Sequence, residues 1–319
     1  LEKLVSQGNM TVKVGNQDIR IDSVAPDLAL LAVSSQVISS EDLNYEKKLA
    51  EGGFGEVFSG TFRGERVAIK KMLMKNTSSD VASEVFAEFR REVWLMSNMK
   101  NPYIVSLRGV CLSHNNFAMA LEFMDGGNFF DFLHPNGKLE LVPPSLDERL
   151  KLALDVAKGM QFMHSKSPPI IHRDLKTPNV LLKKENGVMV AKIADFGLSR
   201  GLVWTGSFND KVVENPSWLA PEVMLGKTYN EKVDIYAFGV ILFEAATMIE
   251  FLGDKEFMSM KEDYIKSGKR PVSQISKSVP PHIAHLIQIC WAQNPIDRPS
   301  FNQIVKCLET HEMIAQADP

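Results

Sequence analysis

His172-Arg173-Asp174-Leu175-Lys176-Thr177-Pro178-Asn179, read together with Lys192-Ile193-Ala194-Asp195-Phe196-Gly197 a short way on, decides how the remaining chain is understood. The first stretch gathers Asp174, Asn179 and Lys176 into one loop just ahead of an apolar run. An Asp can accept a hydroxyl proton, an Asn oxygen can ligate Mg²⁺, and an ammonium can steady a transferring phosphoryl group. The second stretch ends a strand in a carboxylate, Asp195, and follows it with a glycine that permits a sharp turn. Alone, Asp-Phe-Gly reads as a simple turn. In this order and spacing the two stretches are not coincidental. Between them, Val180-Leu-Leu and Val188-Met-Val-Ala-Lys-Ile form a hairpin closed by Glu185-Asn186-Gly187.

Upstream, Tyr45 to about Lys71 reads as strand, glycine turn, strand, strand, with Val57-Phe-Ser-Gly-Thr-Phe62 and Arg66-Val-Ala-Ile-Lys70 as the second and third strands. Gly52-Gly53-Phe54-Gly55 lies between two strands, where backbone N–H groups could close over an anion. Taken alone, a glycine hairpin accounts for it better. Lys70 on the next strand needs a partner carboxylate, and Glu92 is the natural one, on a helix with Val81, Val85, Phe86, Phe89, Val93 and Met96 at helical spacing. Singly these charges are solvated surface residues; with the loop they describe a phosphate clamp. Strands over Val105–Cys111 and Phe117–Phe123 lead to Asp125-Gly126-Gly127, a hinge. Residues 1–44 are a lead-in segment with two short alternating runs, Thr11-Val-Lys-Val-Gly and Ile19-Arg-Ile-Asp.

Downstream the balance shifts to helix. Ser145-Leu-Asp-Glu148 has capping-box spacing and opens a helix with Leu146, Leu150, Ala153, Ala157 and Met160 facing inward. Asp234–Met248, Ile283–Ala292 and Phe301–Glu309 read as further helices. The expected fold is α+β and bilobal, with a small β-rich lobe over 45–124 and a larger, mostly helical lobe over 125–319. Such an arrangement implies a cleft, where ligands commonly bind.

Composition narrows the function classes. Of 319 residues, 45% are hydrophobic and 24% charged, and 36 Lys+Arg against 39 Asp+Glu give a net charge of -3. That balance gives no support to nucleic-acid binding. Cys111, Cys290 and Cys307 lack metal-like spacing and argue against a disulfide framework, which fits a reducing, cytoplasmic setting. The apolar run Ile235–Phe243 is far short of the about 18 residues of a transmembrane helix. The chain begins Leu-Glu-Lys-Leu, without Met or a signal-peptide pattern, and is read as part of a longer protein.

Residues 45 to about 310 resemble a protein kinase domain. The glycine loop, Val67-Ala-Ile-Lys70, His172-Arg-Asp174, Asp195-Phe-Gly197 and Ala220-Pro-Glu222 follow in the kinase order. The resemblance implies an ATP- and Mg²⁺-dependent enzyme acting on protein substrates. Lys70, oriented by Glu92, would hold the α- and β-phosphates under Gly52, Gly53 and Gly55. Asn179 and Asp195 would bind Mg²⁺, Asp174 would position and deprotonate the acceptor hydroxyl, and Lys176 would assist. Adenine would lie between Val57 and Ala68 above and Leu181 below, against the backbone at Glu122 and Met124, with Leu121 as gatekeeper. Met96, Leu107, His172 and Phe196 would form an apolar column in the active state, Asp234 would brace the Asp174 loop, and Arg298 would pair with Glu222.

Lys176 matches serine/threonine kinases, whereas Trp218-Leu-Ala-Pro-Glu222 and Gly109-Val-Cys111 resemble the tyrosine-kinase-like branch, which mostly phosphorylates Ser and Thr. Arg173 before Asp174 is the family's mark of control by activation-loop phosphorylation. Among Ser199, Thr205, Ser207 and Ser217, the candidates are Thr205 and Ser207. Ile19-Arg-Ile-Asp-Ser-Val-Ala-Pro-Asp-Leu-Ala-Leu-Leu31 resembles the stretch preceding the kinase in Roco proteins, implying an upstream GTPase and COR module. Two positions depart from the pattern. Ala50 replaces the first loop glycine, which should stiffen the loop or weaken nucleotide binding modestly. Glu214-Asn215-Pro216 stands where a Thr usually bonds Asp174 and Lys176; the Asn215 amide is expected to offer an altered form of that contact. The alternative reading is a pseudokinase, a nucleotide-binding scaffold without transfer.

Overall fold

The structure, a computed structural model, describes residues 11–14, 17–20, 36–52, 55–72, 79–113, 116–135, 143–197, 199–201, 215–255 and 257–314. The chain divides into two compact units, Leu1–Lys100 with Val105–Met124 and Asn101–Ile104 with Asp125–Pro319.

The first unit is rich in strand. β1 (Thr11–Val14) and β2 (Gln17–Arg20) form an antiparallel hairpin, the second strand starting two residues ahead of the alternating run. β3 (Val37–Ile38), β4 (Leu43–Gly52), β5 (Gly55–Phe62), β6 (Glu65–Met72), β7 (Leu107–Ser113) and β8 (Asn116–Glu122) make, among the described residues, one sheet in the order β3-β7-β8-β6-β5-β4. Successive side chains in a strand face opposite ways. Val67 and Ile69 therefore join Phe62, Cys111, Ala118 and Ala120 in one apolar cluster, which leaves Ala68 and Lys70 for the other face. Helix α1 (Ser79–Asn98) presents buried Phe89, Glu92, Val93 and Met96, a single stripe at helical spacing. Phe89 meets the edge of Phe117 at 5.9 Å. Gly55 is required by close approach: a Cβ there would lie 2.2 Å from the Lys71 carbonyl oxygen.

The second unit is mostly helical. α2 (Phe129–Leu133) is capped by Asn128. α3 (Leu146–His164) opens on the expected capping box, with Ser145 and Glu148 bonded reciprocally. Its buried face holds Ala153, Ala157 and Met160, whereas Leu146 and Leu150 are only half-buried near the start. β9 (Ile170–Ile171), β10 (Val180–Glu185), β11 (Val188–Ile193) and β12 (Arg200–Gly201) form two short antiparallel pairs, β9 with β12 and β10 with β11. The β10–β11 turn has Asn186 at φ 50 and Gly187 at φ 84, the two positive values that a tight hairpin of this kind requires.

α4 (Pro221–Met224), α5 (Lys232–Thr247), α6 (Met258–Lys266), α7 (Pro281–Cys290) and α8 (Phe301–Thr310) complete the unit. Every residue of α5 from Val233 to Ala246 is buried, so this helix is the core on which the others pack. α2, α4 and α6 are not legible in the sequence: two are little more than one turn long, and α6 carries exposed Met258 and Met260 instead of a clean apolar stripe. No helix among the described residues is long and apolar enough to cross a membrane. The three cysteines are buried and none is in a disulfide. A β-rich unit followed by a mostly helical one is the α+β architecture read from the sequence.

Candidate active site

In the first unit, β6 places Lys70 and α1 places Glu92 so that the ammonium meets both carboxylate oxygens, at 2.7 and 2.9 Å. Both side chains are largely removed from water. A carboxylate at the centre of an apolar helical stripe is tolerable only against a cation with good geometry. Val57, Ala68, Leu121 and Met124 are each half-buried, and Ala68 lies opposite Leu121 in the ladder. Glu122 is buried; its amide donates to the Ser106 carbonyl at 2.9 Å. Gly52 pairs with Gly55 at the mouth of the β4–β5 turn, and Gly53 lies outside the described residues. Ala50 is exposed and pairs with Val57 beside a register shift.

In the second unit, the 172–179 loop is anchored from the first turn of α5. Asp234 accepts from the His172 amide at 2.8 Å, the Arg173 amide at 3.0 Å and His164 Nε2 at 2.9 Å. Those bonds hold Arg173 at φ 69, a left-handed conformation that costs on the order of 1–3 kcal/mol for a residue with a side chain. His164 as a third donor has no sequence signal beyond its place at the end of a helix. His172 Nδ1 accepts the Asp174 amide at 3.3 Å while Nε2 lies 3.1 Å from the Ala194 carbonyl, an arrangement that puts a ring proton on Nε2.

The carboxylate of Asp174 is clasped from two sides, by Lys176 Nζ at 2.9 Å and Asn179 Nδ2 at 2.8 Å. Asn179 Nδ2 also donates to the Asp174 carbonyl at 2.8 Å, which leaves Oδ1 as the remaining polar atom of that amide. The Asn179 carbonyl takes the Ala194 amide at 2.9 Å, so the loop and the Asp195 turn are stitched together. Asp195 is exposed, at φ 62, with a long bond from the Gly197 amide at 3.4 Å. Two strained residues, Arg173 and Asp195, thus border one loop, the kind of clustering found at functional sites. Phe196 is buried against the His172 ring at 5.3 Å. Leu181 is half-buried, bridged to Asn128, and Gly126 is pressed so closely on Leu182 that a Cβ would lie 2.8 Å from its carbonyl oxygen.

Further along, Glu222 and Arg298 form a buried fork, Nη1–Oε1 at 2.7 Å and Nη2–Oε2 at 2.8 Å. Asn215 departs from expectation. Its Oδ1 is taken up by the Ser217 amide at 3.1 Å and hydroxyl at 2.7 Å, capping the short turn Pro216–Trp218 instead of turning to Asp174 and Lys176. The reason is local: an Asn side chain reaches the amide two residues on more readily than a distant group. Ser199 is buried, donating to the His172 carbonyl at 3.2 Å. Thr205, Ser207 and Glu214 lie outside the described residues, as does the segment 21–35.

Thr177 and Glu244, to which no motif points, are also joined, Thr177 Oγ1 donating to Glu244 Oε2 at 2.8 Å. The available signal was a lone acid directly after the apolar run of α5.

The chain matches the family described as protein tyrosine and serine/threonine kinase over residues 43–308. It is 39% identical over 297 residues to the probable serine/threonine-protein kinase pats1 of Dictyostelium discoideum, covering 90% of this chain and 9% of that protein. With the probable serine/threonine-protein kinase roco5 of the same organism it shares 37% over 294 residues, 90% of this chain and 10% of the relative. With the serine/threonine-protein kinase CTR1 of Arabidopsis thaliana it shares 37% over 269 residues, 84% and 31% respectively. The chain thus spans less than a third of the length of each of these relatives. By the extent of that match, and with its motifs held in the geometry above, the chain belongs to the protein tyrosine and serine/threonine kinase family, among tyrosine-kinase-like and Roco-type relatives.

Proposed function

We propose that this domain transfers the γ-phosphoryl group of ATP to serine and threonine hydroxyls of proteins. One observation carries the reading: Asp174 is fixed between Lys176 and Asn179 at 2.8–2.9 Å in a loop pinned by Asp234. A carboxylate so held is ready to accept a hydroxyl proton without reorganising, and Lys176 beside it can offset negative charge on the group in transit. Phosphoryl transfer asks the protein for positioning and charge neutralisation more than covalent chemistry. Lys70, held by Glu92, is assigned to the α- and β-phosphates, with Gly52, Gly53 and Gly55 over them. Val57, Ala68, Leu121 and Met124 are assigned to the adenine, and the backbone at Glu122 and Met124 to its edge; the half-burial of those four side chains supports this.

The exposed Asp195 carboxylate and the remaining Oδ1 of Asn179 are hard oxygen donors suited to Mg²⁺, which when bound would neutralise phosphate charge. Serine/threonine preference rests on Lys176 and on the likeness to relatives named as serine/threonine-protein kinases. Arg173, strained and next to the base, is the group to which a phosphate at Thr205 or Ser207 would answer, ordering the activation segment. The Roco-named relatives support an upstream GTPase and COR module in the full protein, and three cysteines outside any disulfide suit a cytoplasmic setting.

Purified protein with Mg·ATP and a generic protein substrate tests the reading. Phosphate incorporation is expected on Ser or Thr, falling by about 10²–10⁴-fold in Asp174→Asn. ATP binding without transfer, even after phosphorylation of the activation segment, would establish the scaffold alternative instead.

A further inference from the structure

Glu244 is an acid that helix packing does not call for. It stands among Phe243, Ala245 and Ala246 on α5 with no exposed surface at all. Both of its oxygens are engaged: Oε2 accepts from Thr177 Oγ1 at 2.8 Å and Oε1 from the Phe251 amide at 3.2 Å. Thr177 is itself fully buried and lies between Lys176 and Asn179, the two residues that clasp Asp174. Phe251, in the turn after α5, leads on to the Asn215 turn: its carbonyl lies 3.4 Å from Ser217 Oγ, whose shorter bond, 2.7 Å, goes to Asn215 Oδ1. A path of buried polar contacts therefore runs from the loop that carries Asp174, through α5, to the Asn215–Trp218 turn.

We propose that Glu244 is a positioning residue for phosphoryl transfer to protein, acting through Thr177 to fix the height and orientation of the Asp174 loop against an acceptor hydroxyl. The proposal rests on the assignment of Asp174 as the base. Asp234 secures the front of the loop through the amides of His172 and Arg173. The far end is tied through the Asn179 carbonyl to the Ala194 amide. Thr177 is the buried side-chain anchor between these two ties, and without it the segment that carries Asp174 can tilt between them. The demand is strictest when the proton leaves a hydroxyl carried on a bound protein, because that hydroxyl cannot move to meet the base. Water can. A slackened loop should therefore cost peptide phosphorylation far more than ATP hydrolysis. Burial pushes the Glu244 carboxyl up to about 8, so near neutral pH it is largely protonated, and what it supplies is hydrogen bonding more than charge. A glutamine should serve in its place.

The test compares Glu244→Met, Glu244→Gln and Thr177→Val with the unmodified protein, measuring peptide phosphorylation and peptide-free ATP hydrolysis with Mg·ATP. In Glu244→Met and Thr177→Val, kcat for the peptide should fall about 10-fold while ATP KM and hydrolysis hold within about twofold. Glu244→Gln should retain peptide kcat within about threefold. A proportional fall in both rates, as a smaller folded fraction would give, overturns the proposal, and so does a Glu244→Gln as impaired as Glu244→Met. If Glu244→Met does not fold, Thr177→Val decides alone. An unmodified protein that transfers no phosphate removes the assignment of Asp174 and this proposal with it. If Asp174→Asn abolishes transfer while Thr177→Val leaves the ratio of the two rates unchanged, only the role of Glu244 fails.

Discussion

Lys70 and Glu92 are twenty-two positions apart and come from different kinds of element, yet their charged atoms meet at 2.7 Å with little access to water. Desolvating both ions offsets much of their attraction, so the pair adds little net stability, but either charge left alone is costly. Lys70→Met or Glu92→Met alone should destabilise the fold by about 3 kcal/mol, and the double variant should recover most of that loss. Urea unfolding of the four proteins measures the coupling; additive losses would show that the two charges do not depend on each other. Both partners were named from the sequence because each lies in a recognisable run. Asn215 went the other way. Its type and position suggested a contact with Asp174, but a side chain chooses among all neighbours, and Ser217 was nearer.

At the scale of elements, α5 illustrates what burial does to chemistry. Its apolar run announced a core helix, and its two acids, Asp234 and Glu244, both turned out to face the 172–179 loop. Glu244 binds its proton far more tightly than an ordinary carboxyl, to about 8, first because it is buried and then because Glu250 is nearby; the Thr177 hydroxyl and Phe251 amide partly counter this. The folded protein therefore holds a proton that the unfolded chain, with the ordinary value of 4.5, releases. Unfolding thus releases a proton across this window, so stability falls as pH rises from about 5 to about 8. Glu244→Gln has no proton to lose. Its stability relative to wild type should rise steadily over that window and level off above it, as read from urea midpoints at pH 5.5, 7 and 8.5. A constant difference would mean that Glu244 is already ionised at the acid end. The short helices α2 and α4 were beyond reach of the sequence for a related reason: little more than one turn has no periodicity to detect, and tertiary contacts determine whether it forms.

At the scale of the molecule, the Glu222–Arg298 fork joins points seventy-six residues apart. Arg298 also donates to the carbonyls of Ala292 and Lys232, with the Tyr236 ring 5.2 Å from its guanidinium carbon. One side chain thus ties α4, α5 and the α7–α8 connection. Arg298→Leu should destabilise the helical unit by about 3–5 kcal/mol, leaving Glu222 buried without its fork. Thermal unfolding should report a fall of several degrees or more, and Arg298→Lys should recover only part of it, since an ammonium cannot replace a planar bidentate donor. A shift of less than about 1 kcal/mol in Arg298→Leu would place the fork at the surface in energetic terms.

The sequence by itself determined the main strands and the longer helices, the change from a β-rich to a helical part, and the residue types of the candidate site. These follow from periodicity, turn chemistry and motif spacing, all of which are local properties written along the chain. The tertiary structure alone decided which donors converge on Asp234, that Asn215 turns to Ser217, and that Thr177 and Glu244 share a buried hydrogen bond. Those outcomes depend on distances between residues remote in sequence and on exclusion of water around them. A buried polar group must find a partner wherever packing has left one.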